Sequence, residues 1–358
     1  MQLVPDWAPN IHPMIVHFPL VLLILAVLLD VTGLFLKKDN WLTKAGLLLY
    51  LLGTIAAVLA FLTGRAASDN LAIPANTIPA VNDHTDWAEI TLWFFIIYTI
   101  VRLAIGIILK SLTKIIVIPM VLIGFLGIYF LYQTGDRGAK LVFGYGLGTG
   151  NIINLQEGET KEIIDDEQIS DSTFIVNKNG SWKLVALSGI NKILSDKFTW
   201  IEGSPDNLGM MYDEDESVLM FHQTKEVPTL SGFVYDNKIK SVQVTAKINI
   251  DDFNGELELV HHFIDKNNYD FLGLINEKIS LSRKTNGEVK IFEEDKFQNK
   301  GFIEIKVESD GTHFRGYVNN KMIVHGHDSE PKPGSVGMKF SGSGSISIKM
   351  INVESLKK

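Results

Sequence analysis

Four stretches of the chain, residues 14–36, 42–63, 88–109 and 115–132, are almost wholly apolar. A bilayer core of about 30 Å takes about 20 helical residues at 1.5 Å rise each. The spacing therefore predicts four transmembrane helices, the fourth being the shortest. Beyond residue 150 the pattern changes. Val242-Gln243-Val244-Thr245-Ala246-Lys247-Ile248 alternates apolar and polar positions, the period of two expected of a strand with one buried face. Strand-like runs recur at 217–222, 241–250, 255–264, 268–276, 278–284, 287–293, 302–308, 313–325, 335–341 and 345–353, between turn residues and without helical pattern. Many closely spaced strands predict a β-sandwich. Residues 174–186 hold two short apolar runs around Asn179-Gly180, a hairpin signal. The expected organisation is a multi-domain membrane protein, with a four-helix transmembrane bundle over residues 1–150 and an all-β sandwich over residues 195–358. Between them, residues 151–194 read as a linker carrying a β-hairpin.

Charge refines this picture. The net charge of -8 comes from the second half, and Glu157, Glu159, Glu162, Asp165, Asp166 and Glu167 crowd the expected linker. Lysines and arginines are scattered rather than clustered, which argues against nucleic-acid binding. Cysteine is absent, so disulfides, thiolate metal sites, iron–sulfur clusters and covalent haem attachment are excluded. Lys37, Lys38 and Lys44 follow the first apolar stretch, and Lys110 and Lys114 follow the third. By the positive-inside rule both loops face the cytoplasm, so both termini lie outside and the sandwich is expected in the periplasm, against a bacterial inner membrane. The first stretch has no preceding Lys or Arg and no small-residue cleavage site, so it is expected to remain as a helix.

Candidate chemistry in the apolar part is sparse. Asp30 lies 17 residues past Pro13 and Arg102 14 residues past Ala88, about 25 Å and about 21 Å along their helices. At similar depth, the two are expected to form a structural ion pair, with a proton path as the alternative. Gly46, Gly53, Ala57, Ala60 and Gly64 share one helix face. Such a stripe permits close helix packing, or a flat slot for a macrocycle or quinone.

Three of the nine histidines fall at one rim: His12 and His17 in His12-Pro13-Met14-Ile15-Val16-His17-Phe18-Pro19, and His84 in Asn82-Asp83-His84-Thr85-Asp86. A neutral imidazole can satisfy a backbone carbonyl, but three at one depth point to a cofactor. For a b-type haem, His17 and His84 are the axial candidates, with His12 or Arg65 and Arg137 holding propionates. For a bare metal ion, the candidate shell is His12, His17, His84 and Asp83.

The His-Pro-x-x-Val-His-Phe-Pro opening, Gly64-Arg65-Ala66-Ala67, the His84 segment and Gly138-Ala139-Lys140-Leu141-Val142-Phe143-Gly144-Tyr145-Gly146 resemble the DUF2231 family over about residues 8–150. That family consists of bacterial four-helix membrane proteins, some fused to cytochrome c-like modules, which implies a respiratory or redox setting and a membrane-complex partner. The chain departs from the family at Tyr145, where a histidine is common. Residues 144–150 are glycine-rich but open no helix, and read as a turn.

In the second half, Trp200, Asp265-Lys266-Asn267-Asn268-Tyr269, Tyr317-Val318-Asn319-Asn320-Lys321 and Pro333-Gly334-Ser335-Val336-Gly337 resemble concanavalin-like (LamG or DUF1080-type) jelly rolls over about residues 195–356. The resemblance implies a face for carbohydrate, and in some relatives paired carboxylates. Glu256 and Glu258 share a strand face and read as exposed polarity rather than a glycosidase pair. His325-Gly326-His327-Asp328 reads as a turn decoration with weak metal binding as the alternative. Two functions follow as expectations. One is a membrane redox protein with haem or metal at the outer rim and electron transfer to a partner. The other is a non-catalytic membrane-tethered module that binds carbohydrate or protein.

Overall fold

The computed structural model describes residues 10–36, 40–71, 73–108, 114–148, 173–204, 208–223, 229–275 and 277–356. Lys37, Lys38 and Lys110 of the orientation argument and the acidic run 157–167 lie outside these residues. The chain divides into two compact units.

The first unit is helical: α1 (His12–Ile15), α2 (His17–Phe35), α3 (Asn40–Asn70), α4 (Ile78–Ile108) and α5 (Lys114–Ala139). Four helical stretches in it are long and apolar enough to cross a membrane. The break at Val16 has a chemical cause: Pro19 has no N–H to donate back to the carbonyl of Ile15. Two helices extend well past their apolar stretches, α4 beginning at Ile78 rather than residue 88 and α5 reaching Ala139 rather than residue 132. Hydropathy marks what faces lipid, while these polar ends are held by partners on the neighbouring helix. Thr134 Oγ1 donates to the carbonyls of Trp87 and Phe130, and Arg137 Nε donates to Asp83. A single π-turn, Lys140–Gly144, follows α5.

The small-residue stripe of α3 is filled by protein. A Cβ on Gly53 would stand 2.7 Å from Leu23, one on Gly46 3.4 Å from Asp30 Oδ1, and one on Gly64 2.8 Å from His12. At these three positions the stripe lets α1 and α2 approach α3 closely.

The second unit is an antiparallel β-sandwich. Its strands are β1 (Phe174–Val176), β2 (Trp182–Val185), β3 (Thr199–Glu202), β4 (Gly209–Asp213), β5 (Val218–Gln223), β6 (Thr229–Ile239), β7 (Val242–Asn249), β8 (Phe253–Asp265), β9 (Asn268–Ile275), β10 (Lys278–Thr285), β11 (Glu288–Lys296), β12 (Ile303–Asp310), β13 (His313–Val318), β14 (Lys321–His327) and β15 (Gly334–Ser355), with a short helix α6 (Ile190–Lys197). The hairpin β1–β2 is part of the sandwich rather than of a linker, because β2 pairs with β15. The run 313–325 is two strands, turned by Asn319 and Asn320 with φ of 49° and 63°, left-handed values that asparagine tolerates.

The runs 335–341 and 345–353 are one strand, β15, and it joins the two layers. Its first half pairs with β6 and β8, and its second with β5, β7 and β2. The remaining ladders extend these into a layer β11-β10-β9-β8-β15-β6-β3 and a layer β15-β7-β12-β13-β14. Leu257, Leu259, Leu272, Leu274, Ile279 and Leu281 of the first layer meet Val244, Ala246, Ile305, Val307, Phe314 and Val324 of the second in one core.

Candidate functional site

The buried centre of the helical unit is ionic. Arg102 Nη1 and Nη2 donate to Asp30 Oδ2 and Oδ1 at 2.6 and 2.7 Å, and the Tyr50 hydroxyl donates to Asp30 Oδ2 at 2.9 Å. Arg102 also donates to the Tyr98 hydroxyl, which donates to the Met120 carbonyl. Both charged side chains are 5% exposed. The network closes on itself and joins α2, α3, α4 and α5, an arrangement that holds helices in register.

At the rim, each of two histidines lies on a glycine of a neighbouring helix. His12 Nδ1 is 3.2 Å from Thr63 Oγ1, beside Gly64. Thr63 spends its own proton on the carbonyls of Leu59 and Ala60, so His12 Nδ1–H is the donor. His84 Nδ1 is 3.1 Å from the Thr134 carbonyl, beside Gly138, and must donate. Both rings therefore carry the proton on Nδ1 and present Nε2 as an acceptor. His17, by contrast, is exposed, as is Arg65. Asp83 is held by Arg137, which also lies 4.6 Å over the Trp87 ring. Among the described residues, His12, His17, His84 and Asp83 do not gather three metal-capable atoms. The five-residue step from His12 to His17 turns their rings to different faces, and the Arg137 ion pair occupies Asp83.

The sandwich concentrates charge on the outer face of the layer β15-β7-β12-β13-β14. Since Val244, Ile305, Val307 and Phe314 point into the core, their neighbours Gln243, Thr245, Lys306, Glu308, Asp310, His313, Arg315 and Tyr317 point the other way. Register sets Glu308 between Gln243 and Arg315. Glu308 Oε2 accepts from the Tyr317 hydroxyl at 2.8 Å and lies 3.8 Å from Arg315 Nη1. Lys306 Nζ stands 3.2 Å from Oε1 and 4.1 Å from the centre of the Tyr317 ring. Although Glu308 is 1% exposed and Gln243 8%, Glu308 Oε1 and Gln243 Oε1 accept no hydrogen bond among the described residues. Buried acceptors are costly when unpaired; the Lys306 ammonium offsets the charge at Glu308 Oε1 without completing a hydrogen bond, and Gln243 Oε1 accepts none among the described residues.

The other layer has a different charge pattern. Glu258 is buried rather than exposed: Lys339 Nζ donates to both its oxygens at 2.8 and 2.9 Å, and the Tyr269 hydroxyl donates at 3.1 Å. Burial raises its pKa above the ordinary carboxylate range, with Lys339 opposing. With its oxygens occupied and Glu256 only flanking it, this is a structural pair.

Inside one end of the sandwich, Arg283 donates to both Asp270 oxygens at 2.6 and 2.9 Å and to Asp328 at 3.3 Å, linking the two layers. His262 Nε2 faces the Lys240 carbonyl at 3.0 Å and must carry a proton, so its Nδ1 accepts from His261 Nδ1–H at 2.7 Å. Burial depresses both histidines, His261 strongly; for His261 the neighbouring His262 and Arg283 add to the effect, whereas Asp270 partly offsets it for His262. A histidine depressed in the folded state stabilises the fold fully above its unfolded pKa, and that stability is lost as pH falls below about 6.5. The sandwich is therefore expected to lose stability as pH falls through that value, His261 contributing more than His262. Urea titrations from pH 7.5 to 5 check this, with His262→Gln giving a shallower dependence.

No curated protein matches the chain. Among solved structures, a carbohydrate-binding module from Bacillus subtilis is similar at 15% identity and TM-score 0.35, over 43% of this chain and 94% of that one. A Bacillus licheniformis β-glucanase is similar at 10% identity and TM-score 0.38, over 51% and 100%, and sheep galectin-11 at 14% and 0.28, over 36% and 98%. The helical segment, residues 8–151, matches the DUF2231 family, described as a predicted membrane protein, and it is joined in this chain to an antiparallel β-sandwich.

Proposed function

We propose that this protein is a membrane-anchored binding module whose sandwich takes a polyhydroxylated ligand, a glycan, on the outer face that carries Glu308. The observation that carries this reading is the pair of buried oxygens, Glu308 Oε1 and Gln243 Oε1, that accept no hydrogen bond among the described residues, with Lys306 Nζ standing 3.2 Å from the former as an ion pair. Sugar hydroxyls are donors, and the Lys306 ammonium beside Glu308 can serve the same hydroxyls' lone pairs. The lysines after the first and third helices favour an N-out, C-out chain, which sets the sandwich in the periplasm of a bacterial inner membrane. Four helices with an ionic centre then form a rigid anchor. Full-length protein in nanodiscs, screened against a panel of soluble oligosaccharides and β-glucans, is expected to give saturable binding of at least one. A panel without any binder counts against the reading.

A second reading concerns the rim. His12 and His84 both hold Nδ1–H in a hydrogen bond and present Nε2, the tautomer that a b-type haem or a metal ion requires. This cofactor site predicts a Soret band in the purified protein, abolished by His84→Ala. A colourless, metal-free preparation from cells supplied with haem and metals speaks against it.

A further inference from the structure

Three imidazoles meet at one corner of the sandwich, on the hairpin of β13 and β14. The period of two puts His325 and His327 on one side of β14, and the ladder sets His313 directly across from His327. Between them Gly326 points inward, where a Cβ would stand 2.7 Å from Phe292 Cβ. The glycine thus lets the two histidines stand outward over a tightly packed core. The ring centroids of His327 are 4.6 Å from His313 and 4.7 Å from His325, and one ring nitrogen from each of the three lies within 4.8 Å of the others. His313 is buried, His325 half-buried and His327 exposed, which gives the cluster a floor and an open mouth.

We propose that His313, His325 and His327 form a binding site for a zinc-class divalent transition metal, the three imidazoles supplying three ligands. A tetrahedral ion with Zn–N distances of about 2.0–2.1 Å draws its nitrogens to roughly 3.4 Å of one another. The exposed His327 and half-buried His325 need move only about 1 Å to reach that spacing, a rotamer adjustment within reach of their surface positions. Three nitrogens and no hard oxygen cage select zinc, copper or nickel over magnesium or calcium. The site is independent of the glycan reading, because the metal is bound by these three rings alone.

The test uses untagged full-length protein, stripped with a chelator, dialysed and titrated with Zn²⁺ by calorimetry and with Co²⁺ by visible absorption. One equivalent of Zn²⁺ per chain is expected, with the intense d–d bands of tetrahedral Co²⁺. Outer-shell substitutions at metal sites cost about 10–100-fold in affinity, so removal of a ligand by His325→Ala or His327→Ala is expected to cost about 100-fold or more. His222→Ala, an exposed histidine on β5 away from the cluster, serves as the control and is expected to leave the titration unchanged. Absence of stoichiometric Zn²⁺ binding, or equal affinity in the wild type, His325→Ala and His327→Ala, overturns the proposal. Loss of binding in His84→Ala instead moves the ion to the rim and also overturns it.

Discussion

Replacing Arg102 with leucine is expected to destabilise the helical unit by about 3–5 kcal/mol, the cost of stripping one partner from a buried ion pair. Asp30 would then keep a single donor, the Tyr50 hydroxyl, for a carboxylate that is 5% exposed and lies within an apolar helix. Water cannot take the place of the guanidinium there. The pair itself is worth much less than either residue alone. Replacing both residues, Asp30→Leu with Arg102→Met, removes both charges and is expected to recover most of the loss. Denaturant titration of the detergent-solubilised protein measures the cycle. A single-variant loss below about 1 kcal/mol, the range of an exposed salt bridge, contradicts the buried network.

The second large effect belongs to Gly344, where β15 passes from one layer to the other. Its φ is +105°, a conformation that side chains avoid, and a Cβ there would stand 1.9 Å from the Asp252 carbonyl oxygen. That oxygen belongs to the backbone between β7 and β8 and accepts from Ser345 N, so it cannot swing aside as a side chain could. Gly344→Ala therefore combines backbone strain of about 1–3 kcal/mol with overpacking of about 1–3 kcal/mol. Gly311→Ala is the control: φ is +60° there, and nothing stands within 4 Å of the added methyl. It carries the smaller cost of a left-handed residue, about 1–2 kcal/mol. Thermal melts of the two variants separate strain from collision. Equal losses in both would show that the crossing tolerates a side chain.

Apolar length made the four helices legible in the sequence, and counting at 1.5 Å per residue sets Asp30 and Arg102 at one depth. Helix ends were less legible, because residues such as Asn82, Asp83 and Gln133 look like loop when hydropathy is the only guide. Their hydrogen bonds to the adjoining helix are invisible until the helices are assembled. In the sandwich, alternation located β7, β8, β12 and β13. It missed β3, β4 and β6, and it cut β15 in two at Gly342-Ser343-Gly344, where glycine marks a change of sheet rather than a turn.

The functional surface was legible only in fragments. His325-Gly326-His327 stands out by spacing, but its third member, His313, is recognised through cross-strand register. Glu308 is one of many acidic residues in the chain. What distinguishes it is that Arg315, Tyr317 and Gln243 flank it on other strands, and that one of its buried oxygens accepts no hydrogen bond among the described residues. Glu256 and Glu258 drew attention by adjacency, yet Lys339 arrives from 81 residues away to occupy Glu258.

Glu308 is proposed as the centre of the ligand-binding face, and the affinity of Glu308→Gln for the best-bound oligosaccharide is the direct test. The substitution keeps the shape of the side chain and removes its charge. A hydrogen bond to a charged group is worth about 1.5–3 kcal/mol, so the full-length variant in nanodiscs, with an unchanged melting profile, is predicted to bind about 10-fold or more weakly than the wild type. Equal affinity of the two proteins would place the ligand elsewhere and remove Glu308 from the binding face.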